Sequence, residues 1–416
     1  MVGIRQLRST TPGLTVGATT AVLAVVLALT IGSTGTAHAQ TYRLLYNFTG
    51  GLDGGQPYSG VTLNSAGDLY GTTHTGNQGI NWGQVYRLQR RGSNYGFTDL
   101  ALFDGTLEAP VTFGPNGTVY STSPNNLTIY QHGYVLNVSP PPNIVCGTVF
   151  CLWSATVIYG FSGGADGDMP NYGALIFDQA GNIYGTTSGG GSGNGVVYEM
   201  MGSGVTWTER AIYAFSGTPD GATPLGGVVL DTAGNLYGTT TAGGASGNGA
   251  VYELSPSGSG WTERVLYSFT GGNDGSYPTA GLVVDASGNL YGSTNAGGTG
   301  GGGTVFELSP SGGGWTYSLL HSFTGGANCG PWSPLAMSGG NLYGDTVCDG
   351  ANSAGSVFEL SPSGNGWTYS SLYDFTGGDD GKFAYGGVTV DASGNLYGTT
   401  LRGGLTLQGV VWTITP

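Results

Sequence analysis

The sequence predicts an all-β chain: a seven-bladed β-propeller of four-stranded antiparallel blades, closed by pairing the N-terminal strand with the C-terminal blade. Three observations carry that prediction. A phrase whose clearest copy is Asp285-Ala-Ser-Gly-Asn-Leu-Tyr-Gly-Ser-Thr294 recurs seven times. Its tyrosine falls at Tyr70, Tyr120, Tyr184, Tyr237, Tyr291, Tyr343 and Tyr397, at spacings of 50, 64, 53, 54, 52 and 54 residues. Units of this size stack, because none can bury an apolar face alone. Each unit holds four short strand-like runs and no helical 3.6-residue period. Finally, the last repeat lacks a fourth strand, and a matching segment stands near the other end of the chain.

In chain order, residues 1–39 read as a signal peptide. Arg5 and Arg8 give a weak basic start, Ala21 to Leu29 is the centre of an apolar run, and Ala37-His-Ala39 has the small-x-small pattern of a cleavage site. The run is short for a membrane span. Residues 40–416 are expected to form one propeller, exported and soluble, with no membrane association after cleavage.

The fifth repeat shows the blade pattern. Thr279 to Asp285 is a first strand rich in β-branched residues, and Ala286-Ser-Gly-Asn289 is a tight turn of residues that tolerate positive φ. Leu290 to Thr294 is the second strand. A glycine-rich loop follows, then Thr304 to Leu308, a turn, and Trp315 to Phe323 as the fourth strand. The chain stops at Gly409 to Pro416, which aligns with a third strand. The missing fourth strand is Tyr42 to Phe48, which aligns with Val265 to Phe269 through the shared Phe-Thr-Gly-Gly. Splitting a blade between the two ends closes a ring and removes exposed sheet edges.

Glycine is 83 of 416 residues and charge is sparse. The formal net charge of −14 becomes −16 once Arg5 and Arg8 are removed with the leader, and Lys382 is the only lysine. Such a surface lacks the basic stripe that nucleic acid or an anionic membrane requires. It favours solubility and attracts cations. The four cysteines fit disulfides in an exported protein. Cys146 and Cys151 share one long turn of blade two, and Cys329 and Cys348 flank the first two strands of blade six. The expected pairs are Cys146–Cys151 and Cys329–Cys348.

The phrases Gly-Asn-Leu-Tyr-Gly-Thr-Thr, Gly-Thr-Val-Phe-Glu-Leu-Ser-Pro-Ser-Gly and Leu-Tyr-Ser-Phe-Thr-Gly-Gly-x-Asp-Gly resemble the GloVer tandem repeat of exported bacterial proteins. Copies of the first run from Gly181 to Thr187, Gly234 to Thr240, Gly288 to Thr294 and Gly394 to Thr400. The resemblance spans nearly all of 41–416. It implies an extracellular or cell-surface location and transfers no catalytic residue. The sequence ends at Pro416 without an apolar tail, so release rather than anchoring is expected.

Candidate chemistry lies in the loops. Asp-Gly recurs after the fourth strand at Asp53, Asp104, Asp166, Asp220, Asp274 and Asp380, and Asp168 and Asp379 add second carboxylates. These could ligate Ca²⁺, or they could anchor turns by accepting backbone N–H groups. No other cofactor is expected. Asp178, Asp231, Asp285 and Asp391 recur at the first turn, which points to hairpin geometry. Trp153, Trp207, Trp261, Trp315 and Trp367 share a slot at the start of the fourth strand and read as packing between blades. Trp82, in a second-to-third-strand loop, and Trp332, in a loop between blades, break the repeat pattern on one face, and Glu108 is the only glutamate in a loop off the pattern; these three are the candidate ligand-binding residues. Gly160-Phe-Ser162-Gly-Gly164 matches a nucleophile pattern, but no helix follows it.

The expected function is therefore a monomeric, secreted binding or structural module for an extracellular carbohydrate or cell-surface ligand, without a catalytic set. The alternative is a carbohydrate-active hydrolase or lyase using Glu108 with loop aspartates and His74 or His132.

Overall fold

Each copy of the recurrent phrase folds into the second strand of a four-stranded antiparallel sheet. In blade five the inner strand Val283–Val284 pairs with Leu290–Thr294, which pairs with Thr304–Ser311, which pairs with the outer strand Gly314–Ser322. The computed structural model describes residues 40–76, 82–125, 129–140, 153–204, 206–364 and 366–415. These residues form seven such sheets. The expected leader, 1–39, and the Cys146–Cys151 pair lie outside the described residues.

Local chemistry explains the hairpins. Asp285 Oδ1 accepts the amides of Ser287 and Asn289, and Oδ2 accepts Asn289 Nδ2, so one carboxylate holds the whole turn. Asp231 and Asp391 repeat the arrangement. At all three, burial opposes ionisation, but the converging N–H donors outweigh it and hold the carboxyl below its ordinary range.

The inner strands are shorter than the sequence pattern suggests. Blade five pairs only at Val283–Val284, not over 279–285. The reason is that the residues before the pair run beside the axis, where their carbonyls bond the neighbouring blade. The hydroxyls of Thr72, Thr186, Thr239 and Thr399 donate to the carbonyls of Ala109, Gly226, Ala280 and Ser59, each in the next blade round the ring. Glycine lets these segments approach: a Cβ on Gly226 would stand 2.4 Å from the Ala280 carbonyl carbon.

The apolar core lies between blades. Tyr237, Val251 and Phe269 of blade four pack with Leu282, Leu290, Phe306 and Leu308 of blade five. The outer-strand tryptophans seal these junctions, as Trp207, Trp261, Trp315 and Trp367 meet Tyr120, Tyr184, Tyr237 and Tyr291 edge-on at 5.9–6.2 Å.

The ring closes as the two chain ends require. Thr41–Asn47 is the outer strand of blade seven, antiparallel to Val410–Thr415 with Thr41 opposite Thr415 and Asn47 opposite Val410. Beyond that pairing, Phe48 N–H donates to Gly409 O at 3.1 Å. Blade six carries the Cys329–Cys348 disulfide, with Cα atoms 4.4 Å apart.

Candidate functional site

One position in each blade points the repeat at the axis. It lies four residues before the inner strand and is occupied in turn by Tyr58, Glu108, Tyr172, Leu225, Thr279, Trp332 and Tyr385. The two positions after it are glycine, alanine, serine or proline in every blade, while this residue changes. Six of the seven, all but Leu225, line one pocket.

Four of these residues form a closed circuit of rings. Tyr58 meets Tyr172 at 5.7 Å and Tyr385 at 5.1 Å, and Trp332 meets Tyr172 at 5.7 Å and Tyr385 at 5.6 Å. Blades one, three, six and seven thus supply an aromatic wall. Blades four and five supply a smaller one of Gly226, Gly227, Thr279, Ala280 and Gly281. The pocket is lopsided: flat apolar rings on one side, backbone and a hydroxyl on the other.

Glu108 sits among the rings with a side chain 12% exposed, and His74 Nδ1 is 3.1 Å from its Oε1. That is ion-pair distance when the imidazole is protonated, but the approach is off the hydrogen-bond axis. Burial and the neighbouring Glu108 carboxylate both raise the Tyr172 hydroxyl. Burial and the nearby Tyr385 and Glu108 charges push the Tyr58 hydroxyl up to about 12, against the opposing pull of Arg402. Burial likewise raises Tyr172 and Tyr385, so all three phenols are neutral donors at ordinary pH. The site can stack a flat or ring-shaped ligand and can offer it phenolic hydroxyls and one carboxylate.

Of the residues singled out from the sequence, Glu108 and Trp332 come together here. Trp82 does not join them. It starts the third strand of blade one, 37% exposed, opposite Asp104 of the outer strand. Tyr58, Tyr172 and Tyr385 escape a motif-based reading. The signal that finds them is the slot itself, which varies just before two positions that stay small or proline.

The Asp-Gly carboxylates are engaged one blade at a time. Asp53 accepts Tyr46 Oη at 3.0 Å and Thr49 N at 2.9 Å. Asp274 accepts Tyr267 Oη at 2.9 Å, Thr270 N at 2.8 Å and Thr270 Oγ1 at 2.6 Å. Asp166, Asp220 and Asp380 repeat this set. Asp168 contacts His132 Nδ1 at 3.2 Å, Asp104 pairs across from Trp82, and Asp379 is exposed. Among the described residues, no three His, Cys, Asp or Glu side chains converge on a common point.

The sequence matches the model of the Gloeobacter/Verrucomicrobia repeat over residues 110–330 and again over 264–416. No curated protein matches it. Solved structures do. One is a Thermus thermophilus protein described as an oxidoreductase (glucose dehydrogenase): 15% identity, 90% of this chain and 99% of that one covered, TM-score 0.45. Another, from Bacteroides uniformis, is described as a 6-phosphogluconolactonase: 13% identity, 76% and 84% covered, TM-score 0.49. A third is an ulvan lyase, a polysaccharide lyase bound to -[GlcA(1-4)Rha3S]-: 12% identity, 86% and 92% covered, TM-score 0.51. At such identity the likeness to the lyase is one of fold. The repeat match, running from residue 110 to the final residue, spans more than half of the sequence, and the chain belongs to the Gloeobacter/Verrucomicrobia repeat family.

Proposed function

We propose that this protein is an extracellular binding module that receives a carbohydrate end or side group in its axial pocket. The observation that carries the reading is the four-ring circuit of Tyr58, Tyr172, Trp332 and Tyr385 in a pocket that Glu108 also lines. Sugar rings present apolar C–H faces that stack on aromatic rings, and their hydroxyls suit phenols and a carboxylate. The Cys329–Cys348 bridge and the repeat family fit export. In this reading the Asp-Gly carboxylates anchor turns, and Ca²⁺ plays no part.

A glycan array probed with residues 40–416, with and without Ca²⁺, tests the proposal. Binding is expected to one glycan class, independent of Ca²⁺, and lost in Trp332→Ala and Tyr385→Ala variants that keep the wild-type melting point. Equal binding by those variants rejects the axial site. Turnover of a polysaccharide, abolished by Glu108→Gln, would replace the binding role by the enzymatic one.

A further inference from the structure

The second position after each repeat tyrosine is a hydroxyl residue in six blades: Thr72, Thr122, Thr186, Thr239, Ser293 and Thr399. In blade six it is Asp345. Four of the threonines donate to a carbonyl of the next blade's axial segment, always that of the third residue before the inner strand. The corresponding carbonyl in blade seven belongs to Gly386. A carboxylate cannot donate to it. Asp345 Oδ2 instead accepts the N–H of Gly387 at 3.0 Å, and Oδ1 accepts Ser333 Oγ at 3.1 Å.

The Gly386 carbonyl and the Gly387 N–H are two edges of one peptide unit. Blades one, two, four and five turn the carbonyl edge toward the preceding blade, and blade seven turns the amide edge. The backbone records the reversal. Gly387 has φ +78°, whereas its counterparts Gly60, Pro110, Ala174, Gly227, Gly281 and Pro334 are outside the left-handed region. Glycine at both 386 and 387 makes either orientation accessible. Gly387 also abuts Ser333 and Pro334, while Tyr385 stands one residue before the reversed peptide and Trp332 one residue before Ser333. The carboxylate therefore ties together the two segments that carry adjacent rings of the axial circuit.

We propose that Asp345 is a positioning residue whose protonation reverses the Gly386–Gly387 peptide and so resets Tyr385 and Trp332 at the axial pocket. As a carboxylate, it accepts the Gly387 amide. As a carboxylic acid, it carries an O–H that can donate to the Gly386 carbonyl, as threonine does from four other blades. The side chain is fully buried, and burial pushes it up to about 7 despite the opposing Ser333 and Gly387 hydrogen bonds. The elements around it bear Tyr343 on its own strand, Glu359 on the paired strand Ser356–Ser363 and Tyr385 on the blade-seven segment. Glu359 is bonded to Asn341 and Tyr343. Neither it nor any cation is among the influences on Asp345. The regulatory meaning rests on the axial binding site proposed above. The reversal itself is read without ligand, so the two ideas fail separately.

Crystal structures of residues 40–416 at pH 5 and pH 8.5, alongside Asp345→Thr at both, test it. The wild type should show Gly387 left-handed at pH 8.5 and the Gly386 carbonyl turned to Asp345 at pH 5. The variant, which restores the repeat's own residue, should keep the carbonyl inward at both. In solution, near-UV circular dichroism should show an aromatic transition centred near pH 7 that vanishes in Asp345→Thr and Asp345→Asn and persists in His74→Gln. One peptide orientation in the wild type at both pH values, a left-handed Gly387 in Asp345→Thr, or a transition that survives in both Asp345 variants would overturn the proposal.

Discussion

Truncating Phe48 to alanine probes whether the ring is shut in solution. Phe48 is fully buried, its ring 5.2 Å from Tyr46 and 5.2 Å from Tyr86, in a cluster that joins Val411 and Tyr397 of the last blade to Leu69 and Leu88 of the first. Phe269 occupies the same slot inside the ring, also fully buried, 5.2 Å from Tyr267 and 5.2 Å from Phe306. Loss of a buried phenylalanine costs about 3–5 kcal/mol through lost transfer energy and the cavity left behind. An unfolding entropy of about 2.1 cal/mol/K per residue gives the Thr41–Thr415 unit roughly 0.8 kcal/mol/K. Each variant should then melt about 4–6 °C below the wild type. Denaturant and thermal unfolding followed by circular dichroism give both numbers, and the two variants should agree within about 1 kcal/mol. If Phe269→Ala shows the full loss while Phe48→Ala costs less than about 1 kcal/mol, the seam between the chain's ends is open in solution and the closure argument is wrong.

Other outcomes follow from the same contacts. Reducing Cys329–Cys348, or replacing both by serine, releases a loop of sequence separation 19 and should cost about 3 kcal/mol on a chain-entropy account; an unchanged denaturation midpoint contradicts that. Asp345 has its folded proton affinity raised from 3.8 to about 7, so the native state binds more protons than the unfolded state between those values, and stability is lost as pH rises through that window. Asp345→Thr should remove this slope and gain up to about 4 kcal/mol at pH 8, measurable by urea denaturation at pH 5 and pH 8. Gly238→Ala would set a Cβ 2.4 Å from Tyr252 Oη and should destabilise by about 1–3 kcal/mol by overpacking, readable as a lower melting temperature. Melting points with EDTA and with added Ca²⁺ should coincide, and a rise with Ca²⁺ would assign the Asp-Gly loops a cation.

Much of the architecture is legible because the repeat states it seven times. The Asp285 turn, the outer-strand tryptophans and the Phe-Thr-Gly-Gly shared by both ends each have one physical role, and repetition exposes it. The pairing of Cys329 with Cys348 follows from the blade layout. The inner strand is misjudged in length, because Thr279 to Gly281 has strand composition but bonds the blades on either side. The site is only half legible. Glu108 and Trp332 stand out as departures from the repeat. Tyr58, Tyr172 and Tyr385 look ordinary in a chain with 25 tyrosines, and only alignment by distance to the inner strand reveals them. Trp82 departs from the repeat as well, yet it belongs to the third strand of blade one and stands outside the axial group. Asp345 differs from its counterparts by one side chain, and its effect on the peptide opposite it is a property of three-dimensional packing.

The one-per-blade slot at the axis has a further consequence. Apart from Thr279, whose hydroxyl bonds the Trp332 carbonyl, the occupant is presented by a scaffold whose own bonds run through backbone carbonyls and the hydroxyls of a neighbouring sheet, so exchanging that side chain leaves the frame intact. The mouth therefore behaves like a dial with six settings, one from each blade but the fourth, four of which touch. Shuffling or duplicating whole sheets can rewrite what such a protein holds without redesigning how it folds.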